Sequence, residues 1–199
     1  MNWLTPTKVK EIQSFLGLCN YYRRFVFQFA LITFPLTRLT HKDVLWQWTS
    51  IKQTAFDVMK KKLTEAPILW LPNPEKQFYL HVDVALTMAV GGILSQEQSD
   101  DKLLHPVAFE SKMMSKAEQN YPVHEQELLA LKHCLDKWRH YLDTMPFTVY
   151  TDNRLLETIR TNRNLSKRQI RWLERFQSFQ FSVHHLPRVE NGGADALSK

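Results

Sequence analysis

The segment QFYLHVDVALTMAVGGILSQ, residues 77–96, predicts the start of a β-sheet. Its two halves predict neighbouring β-strands over about 77–84 and 90–96, and the pair Gly91-Gly92 predicts a bulge or a close backbone approach. Asp83 lies inside the first strand among β-branched and aromatic residues, where aspartate is disfavoured. Burial of a charge is costly unless a metal or partner compensates it, so Asp83 is a candidate functional residue.

The segments after this stretch predict a mixed sheet covered by helices. In chain order they are a strand over 104–110, a helix capped by Ser115–Glu118 with its main body over 123–142, a strand over 147–151, helical segments near 153–160 and 166–178, a strand over 179–185 and a short closing helix. Strands followed by alternating helices and strands indicate an α/β (α+β) fold with one mixed sheet.

The residues before the sheet predict a small helical region. One helix is predicted over about 8–29 and another over about 50–63, the latter opened by a capping box at Ser50, with a proline-containing loop between them. Three prolines then interrupt the chain. We therefore predict a domain boundary near residue 74, which gives domains over 1–74 and 75–199.

Composition predicts a folded protein of a reducing compartment. Hydrophobic residues make up 44% and charged residues 23% of the chain, which is typical of folded proteins. Cys19 and Cys134 form neither a zinc pattern nor a disulfide framework, so we expect an intracellular location. No apolar run approaches the roughly 20 residues of a membrane span, and no membrane partner is expected.

The net charge of +6 is unevenly spread and predicts a polyanionic partner. Residues 1–76 carry 11 Lys and Arg against 5 Asp and Glu, whereas residues 77–199 carry 15 of each. Basic side chains beside an acidic cluster would hold a nucleic acid by its phosphates near a metal site. The alternative for the segment 154–175 is a solvated helix face. The predicted phosphate contacts are Arg23, Arg24, Lys60, Lys61, Lys62, Arg154, Arg160, Arg163, Lys167, Arg168, Arg171 and Arg175.

Three further carboxylates join Asp83 as candidates. Glu127 lies roughly 60° from the centre of the apolar stripe of its helix, at the margin of the buried face, whereas Glu125 lies roughly 100° away and is predicted to be solvated. Asp152 ends the strand FTVYTD and also fits a strand-end turn. Asp195, in GGADALSK, also fits the first turn of a helix.

Convergence of the four carboxylates would create a site for two divalent cations. Two such ions about 3.5–4 Å apart activate a water and stabilise the leaving oxygen of a phosphodiester. Mg²⁺ or Mn²⁺ fits an all-oxygen donor set. His184 and His185 are candidates for proton transfer, and the alternative is a strand end with one of the two histidines exposed.

The ordered motifs FLGLCNYYRRFV, PLTRL, WQWT, AFDVMKKKLTEAPIL, HPVAFESKMMSKAEQNYPVHEQELLALKHCLDKWRHYL, FTVYTDNRLL and NGGADALSK resemble the Pol polyprotein of gypsy-class LTR retrotransposons over nearly the whole chain. The resemblance implies that 1–74 is a small helical thumb/connection segment of reverse transcriptase. It implies that 75–199 is a ribonuclease H-like domain with a five-stranded mixed sheet.

The resemblance also gives the candidate residues roles. The family's catalytic carboxylates correspond to Asp83, Glu127, Asp152 and Asp195, which would bind two Mg²⁺ or Mn²⁺ ions. His185, ten residues before Asp195, resembles the catalytic-loop histidine of cellular ribonucleases H. The implied activity is metal-dependent cleavage of the RNA strand of RNA–DNA hybrids. Other parts of the Pol polyprotein are expected partners, in a cytoplasmic retroelement particle or in the nucleus.

Two departures from the family pattern leave alternatives open. The segment DVALTMAVGG is one residue longer than the family's usual spacing, and a one-residue slip would turn strand side chains to the opposite face. The polymerase palm has no counterpart in the sequence, so no polymerase activity is expected of this chain unless another chain supplies the palm. The alternative function is a catalytically inactive or co-opted remnant that only binds nucleic acid.

Overall fold

A five-stranded mixed sheet forms the centre of the protein, whose computed structural model describes residues 3–65, 69–97, 103–152 and 165–186. The strands lie in the order β3-β2-β1-β4-β5; β1 pairs antiparallel with β2 and β2 with β3, whereas β1–β4 and β4–β5 are parallel. Their ranges are β1 Phe78–Ala85, β2 Ala89–Glu97, β3 Leu104–Met113, β4 Phe147–Thr151 and β5 Phe181–His185. The predicted mixed sheet is confirmed.

Helices precede the sheet and cover one of its faces. Their ranges are α1 Val9–Tyr21, α2 Phe29–Thr37, α3 Ser50–Thr64, α4 Lys116–Gln119, α5 Val123–Lys137, α6 Arg139–Leu142 and α7 Lys167–Phe176, with 3₁₀ turns at Arg23–Phe25 and Arg38–Thr40. The helical segment predicted near 153–160 and the closing helix lie outside the described residues. In α4 the predicted capping box is confirmed, because Ser115 Oγ accepts from the Glu118 backbone N–H and Glu118 Oε2 accepts from the Ser115 backbone N–H.

The N-terminal helices differ from the prediction in three places. The first helix ends at Tyr21 rather than near residue 29, because the chain turns through a 3₁₀ turn and a left-handed residue, Gln28. Pro35 lies inside α2 instead of in a loop, and that helix buries Leu36. The capping box at Ser50 is wrong: Thr49 is the N-cap, and no side chain caps α3.

The two faces of the sheet follow from the alternation along β1. Phe78, Leu80 and Val82 are buried in the core that α5 and α7 cover. The intervening Tyr79, His81 and Asp83 are only half-buried and lie on the opposite face. A candidate catalytic carboxylate is therefore excluded from the main core by strand parity alone.

A second core lies among α1, α2 and α3, with Phe15, Phe56 and Met59 fully buried at its centre. The two cores fall on either side of the predicted boundary near residue 74, which stays a prediction. Cys19 and Cys134 are free thiols, one in each core, and burial raises the pKa of Cys19 to about 12. Within the described ranges no helix combines the length and apolarity needed to cross a membrane.

The DVALTMAVGG segment forms the β1–β2 hairpin. Pairing runs without interruption from Phe78–Gln96 to Ala85–Ala89, so no bulge interrupts β1 at Asp83, and a three-residue turn follows Ala85. The glycine pair marks a close backbone approach, because a Cβ on Gly91 or Gly92 would collide with a carbonyl oxygen of the adjacent strand. The only bulge recorded in the described β2–β3 pairing lies farther along, between Leu94 and Ser95.

Candidate active site

Asp83 and Asp152 lie at the carboxyl ends of adjacent parallel strands. The β1–β4 pairing ends at His81–Tyr150. Asp83 lies two residues beyond that pair within β1, and Asp152 lies two residues beyond it, directly after the end of β4. Parallel neighbours lie about 4.8 Å apart and their carboxyl ends meet at one edge of the sheet. The structure therefore brings these two half-buried carboxylates to the same end of the sheet.

Glu127 reaches this end of the sheet from α5. Its side chain is buried, with 8% of the residue surface exposed, and its Oε2 accepts a hydrogen bond from Thr151 Oγ1 at 3.1 Å. Thr151 is the last residue of β4 and directly precedes Asp152. The hydrogen bond therefore holds the Glu127 carboxylate beside Thr151, the residue that precedes the candidate ligand Asp152.

His185 ends β5 beside the same aspartate. Its Nε2 lies 3.1 Å from the backbone carbonyl oxygen of Asp152, an acceptor, so the ring donates through Nε2–H. Leu186 N also donates to the carbonyl oxygen of Thr151 at 2.8 Å. The predicted catalytic histidine is thus a strand residue that ties β5 to β4, while its neighbour His184 is exposed. A role of His185 in proton transfer stays a prediction.

The donor set at this end of the sheet has the chemistry of a site for a hard cation. Asp83, Glu127 and Asp152 offer only carboxylate oxygens, which Mg²⁺ and Mn²⁺ prefer. Across the described ranges, however, no three His, Cys, Asp or Glu side chains are grouped closely enough to hold a metal ion. The fourth predicted ligand, Asp195, lies outside those ranges. The predicted two-ion site stays a prediction.

Glu125 was predicted to be solvated, and this is wrong. The residue exposes only 6% of its surface because α7 packs against α5 and covers it. Ser166 Oγ donates to Glu125 Oε1 at 3.1 Å, and Arg168 Nη1 donates to Oε2 at 2.5 Å. The Arg168 guanidinium also lies 3.7 Å from the centroid of the Tyr121 ring. The helical stripe of α5 gave no signal for this pair, because the partners come from a distant segment.

Glu110 is a second buried carboxylate that the sequence did not single out. It lies on the edge strand β3 with 6% of its surface exposed, and it accepts from Arg23 Nη2 at 2.6 Å. His133 Nε2 lies at 3.2 Å and Lys137 Nζ at 4.0 Å. Burial alone would raise the pKa of Glu110, but the hydrogen bond with His133 and the charges of Arg23, His133 and Lys137 outweigh it and lower the pKa.

Several predicted phosphate-binding residues form ion pairs or hydrogen bonds with other residues of the chain. Arg23 also donates to the carbonyl oxygen of Ser111 at 3.0 Å, so its observed role is to attach the N-terminal helices to β3. Arg175 Nε lies 2.7 Å from Asp136 Oδ1. Such pairing competes with phosphate binding at these residues.

The other predicted phosphate contacts differ in their exposure. Arg24 is exposed, with its guanidinium over the Phe25 ring, and Arg171 lines a cleft of about 380 Å³ between α5 and α7. Lys60 donates to the Trp3 carbonyl oxygen, and Lys61 forms an exposed ion pair. Lys62 is half-buried and Lys167 exposed, whereas Arg154, Arg160 and Arg163 lie outside the described residues.

A row of rings occupies the face of the sheet opposite α5. His81 stacks on Tyr150 with centroids 4.7 Å apart, and Tyr79 stacks on the same tyrosine at 6.2 Å. Burial lowers the pKa of His81 to about 4, so the imidazole is neutral near pH 7. His81 therefore contributes packing rather than positive charge beside Asp83.

Comparison with known proteins assigns the family. The model of the RNase H-like domain found in reverse transcriptase matches residues 73–179. The transposon Tf2-3 and Tf2-4 polyproteins of Schizosaccharomyces pombe (strain 972 / ATCC 24843) are each 39% identical over 203 aligned residues, covering 100% of this chain and 15% of the relative. The chain thus spans about 15% of the length of these curated relatives.

Solved structures show the same fold. The foamy viral protease-reverse transcriptase dRH in complex with double-stranded DNA superposes with a TM-score of 0.77 at 23% identity, covering 94% of this chain and 34% of that chain. The foamy viral protease-reverse transcriptase in complex with RNA/DNA hybrid gives a TM-score of 0.73 at 24% identity, covering 96% and 27%. The resemblance to retrotransposon Pol polyproteins is confirmed, and the chain belongs to the family of RNase H-like domains found in reverse transcriptase.

Proposed function

We propose that this protein hydrolyses the RNA strand of RNA–DNA hybrids in a reaction that depends on divalent cations. The observation that carries the proposal is the arrangement of Asp83, Glu127 and Asp152 at one end of a sheet in a member of a reverse-transcriptase RNase H-like family. The related foamy viral protein has been solved with an RNA/DNA hybrid, which supports the same class of ligand here.

Asp83, Glu127, Asp152 and Asp195 would hold two Mg²⁺ or Mn²⁺ ions. When bound, such ions activate a water and stabilise the leaving oxygen of the phosphodiester. The chain itself orients the ligands: Thr151 Oγ1 holds Glu127, and the bond from His185 holds the backbone at Asp152. Hydrogen bonds to metal-binding residues fix the orientation of those residues. Loss of such a bond commonly lowers metal affinity or activity 10- to 100-fold.

Basic side chains would hold the hybrid by its backbone. Arg24, Lys167 and Arg171 are exposed, and Arg171 lines the cleft beside α5. Phosphate contacts of this kind weaken steeply as salt rises. Selection of a hybrid would rest on helix shape and on the 2′-hydroxyls of the RNA strand rather than on base sequence.

The test is cleavage of a labelled RNA–DNA hybrid by the purified protein with Mg²⁺ or Mn²⁺. Because a catalytic metal supplies several kcal/mol of stabilisation and 1.36 kcal/mol is tenfold in rate, Asp152→Asn should lower the rate by at least about 100-fold. The matched control is Asp143→Asn, which changes an exposed aspartate at the end of α6 and should leave the rate unchanged.

A competing outcome would identify a binding module. In that outcome the folded protein binds the hybrid tightly, shows no metal-dependent hydrolysis at high protein concentration, and binds equally well as Asp152→Asn. This result would overturn the nuclease and support the binding-only remnant. Hydrolysis that persists in Asp152→Asn at the wild-type rate would show that the reaction does not use this end of the sheet.

A further inference from the structure

A small cavity lies between the N-terminal helices and the β1–β2 hairpin. Its volume is about 10 Å³, and its lining includes Phe27 and Gln28 from the N-terminal region, Asp83 from β1, and Glu110 and Ser111 from β3. This volume is close to the minimum that holds one water. Most of the lining is apolar, and Gln28, Asp83, Glu110 and Ser111 are its polar members. The cavity therefore brings the segment before α2 together with a candidate metal ligand.

Resting on the proposed function, we propose that Gln28 is a positioning residue for Asp83, so that the docked N-terminal helices complete the ribonuclease site. A glutamine amide both donates and accepts hydrogen bonds. Across a cavity of this size it can hold a single water against its neighbours and restrict the arrangement of the Asp83 carboxylate. A loosely held ligand would lose the geometry that metal binding requires.

The backbone conformation of Gln28 supports a functional role for this residue. Gln28 adopts φ 54° and ψ 29°, a left-handed conformation that non-glycine residues rarely adopt. Strained residues persist only where their surroundings over-determine them, and they cluster at functional sites. Here Ala30 N donates to Ser111 Oγ at 2.9 Å, and Arg23 binds Glu110 and the Ser111 carbonyl oxygen. These contacts hold both ends of the segment against β3.

The pairing of the strands connects this docking point to the aspartate. Ser111 pairs with Gly91, and Gly91 pairs with Asp83, so the three residues form one row across β3, β2 and β1. A Cβ at Gly91 would collide with the backbone oxygen of Glu110, which shows how closely the strands meet at this point. A displacement of the segment between Arg23 and Ala30, which contacts β3, would therefore shift a row of paired residues that ends at Asp83.

The test compares three variants of the full chain. Gln28→Gly removes the side chain while glycine accepts the left-handed backbone. Gln28→Asn keeps an amide and tolerates the same conformation. Gln47→Gly removes an exposed loop glutamine and serves as the control. Each is measured for hybrid cleavage against Mn²⁺ concentration, for Mn²⁺ binding without nucleic acid by electron paramagnetic resonance, and for its unfolding midpoint.

Gln28→Gly should raise the Mn²⁺ concentration for half-maximal cleavage and weaken Mn²⁺ binding by about 10-fold, the effect expected of a residue that orients a ligand. Its KM for the hybrid should not exceed that of Gln47→Gly, and its unfolding midpoint should not fall below that of Gln47→Gly. Gln28→Asn should recover part of the loss. Wild-type metal dependence and binding in Gln28→Gly, with an active parent protein, would overturn the positioning role. A parent that neither binds Mn²⁺ nor cleaves would overturn the proposed function, and this inference with it.

Discussion

Replacement of Arg23 by alanine tests how the N-terminal helices are attached to the sheet. The guanidinium donates to Glu110 Oε1 at 2.6 Å and to the Ser111 carbonyl oxygen at 3.0 Å. The carboxylate of Glu110 is buried, with 4% of its side chain exposed, so the substitution removes its shortest charged contact. His133 Nε2 and Lys137 Nζ remain as the other neighbours of the carboxylate.

The expected loss of unfolding free energy for Arg23→Ala is about 2 kcal/mol. Removal of one partner from a fully buried ion pair costs about 3–5 kcal/mol, because the remaining charge is left uncompensated. Two facts reduce this figure: the Arg23 side chain is 37% exposed, so solvent screens the pair, and His133 and Lys137 still face the carboxylate. A single hydrogen bond to a charged group contributes about 1.5–3 kcal/mol, which sets the expectation.

Urea unfolding followed by far-ultraviolet circular dichroism measures the loss. Arg38→Ala is the control, because Arg38 is exposed at the end of α2 and should change stability by less than about 0.5 kcal/mol. A double-mutant cycle with Glu110→Gln isolates the pair, and contacting residues show coupling of about 0.5–3 kcal/mol. A loss in Arg23→Ala no larger than that of Arg38→Ala, or a coupling near zero, would show that the Arg23–Glu110 pair does not stabilise the protein.

The same pair predicts how stability depends on pH. The pKa of Glu110 in the folded protein is lowered from its ordinary value of 4.5 by His133, Arg23 and Lys137 in spite of burial. A lowered folded-state pKa stabilises the fold above the unfolded-state pKa, and that stability is lost as pH falls through the folded-state value. The stability difference between wild type and Glu110→Gln should shrink as pH falls below about 4.5. A difference that grows below that pH would contradict the sign.

Two backbone substitutions test the hairpin beside the site. Gly92→Ala should destabilise the protein by about 2 kcal/mol, because its Cβ would meet a carbonyl oxygen of β1 and lie 3.0 Å from Cys134 Sγ. Gly17→Ala is the comparison outside the hairpin; it lies on an open face of α1 and should stabilise the protein by about 1 kcal/mol. Leu86→Gly should stabilise by about 0.5–1 kcal/mol, because Leu86 and Thr87 have φ of 51° and 53° and Leu86 is 74% exposed. Urea midpoints check all three, and a stabilising Gly92→Ala or a destabilising Leu86→Gly would show that the hairpin geometry is misjudged.

Features that local interactions control could be predicted from the sequence. The residue types of FYLHVDV were sufficient to predict β1 and to single out Asp83 as unusual within it, whereas the structure showed that Asp83 lies on the half-buried face. The capping box at Ser115 was predictable for a similar reason, since both of its hydrogen bonds join residues three apart. The order of the motifs was enough to predict the family, which the relatives confirm.

Only the tertiary structure decided which charged groups are paired. Periodicity placed Glu125 on a solvated side of α5, yet α7 covers it and supplies Arg168, 43 residues away in the sequence. Arg23 resembled a phosphate contact until the fold placed it against Glu110, 87 residues away. The periodicity of a helix or strand predicts only which of its own side chains face the core. These ion pairs form when two elements that are distant in sequence pack together, so burial and charge pairing depend on residues outside the element.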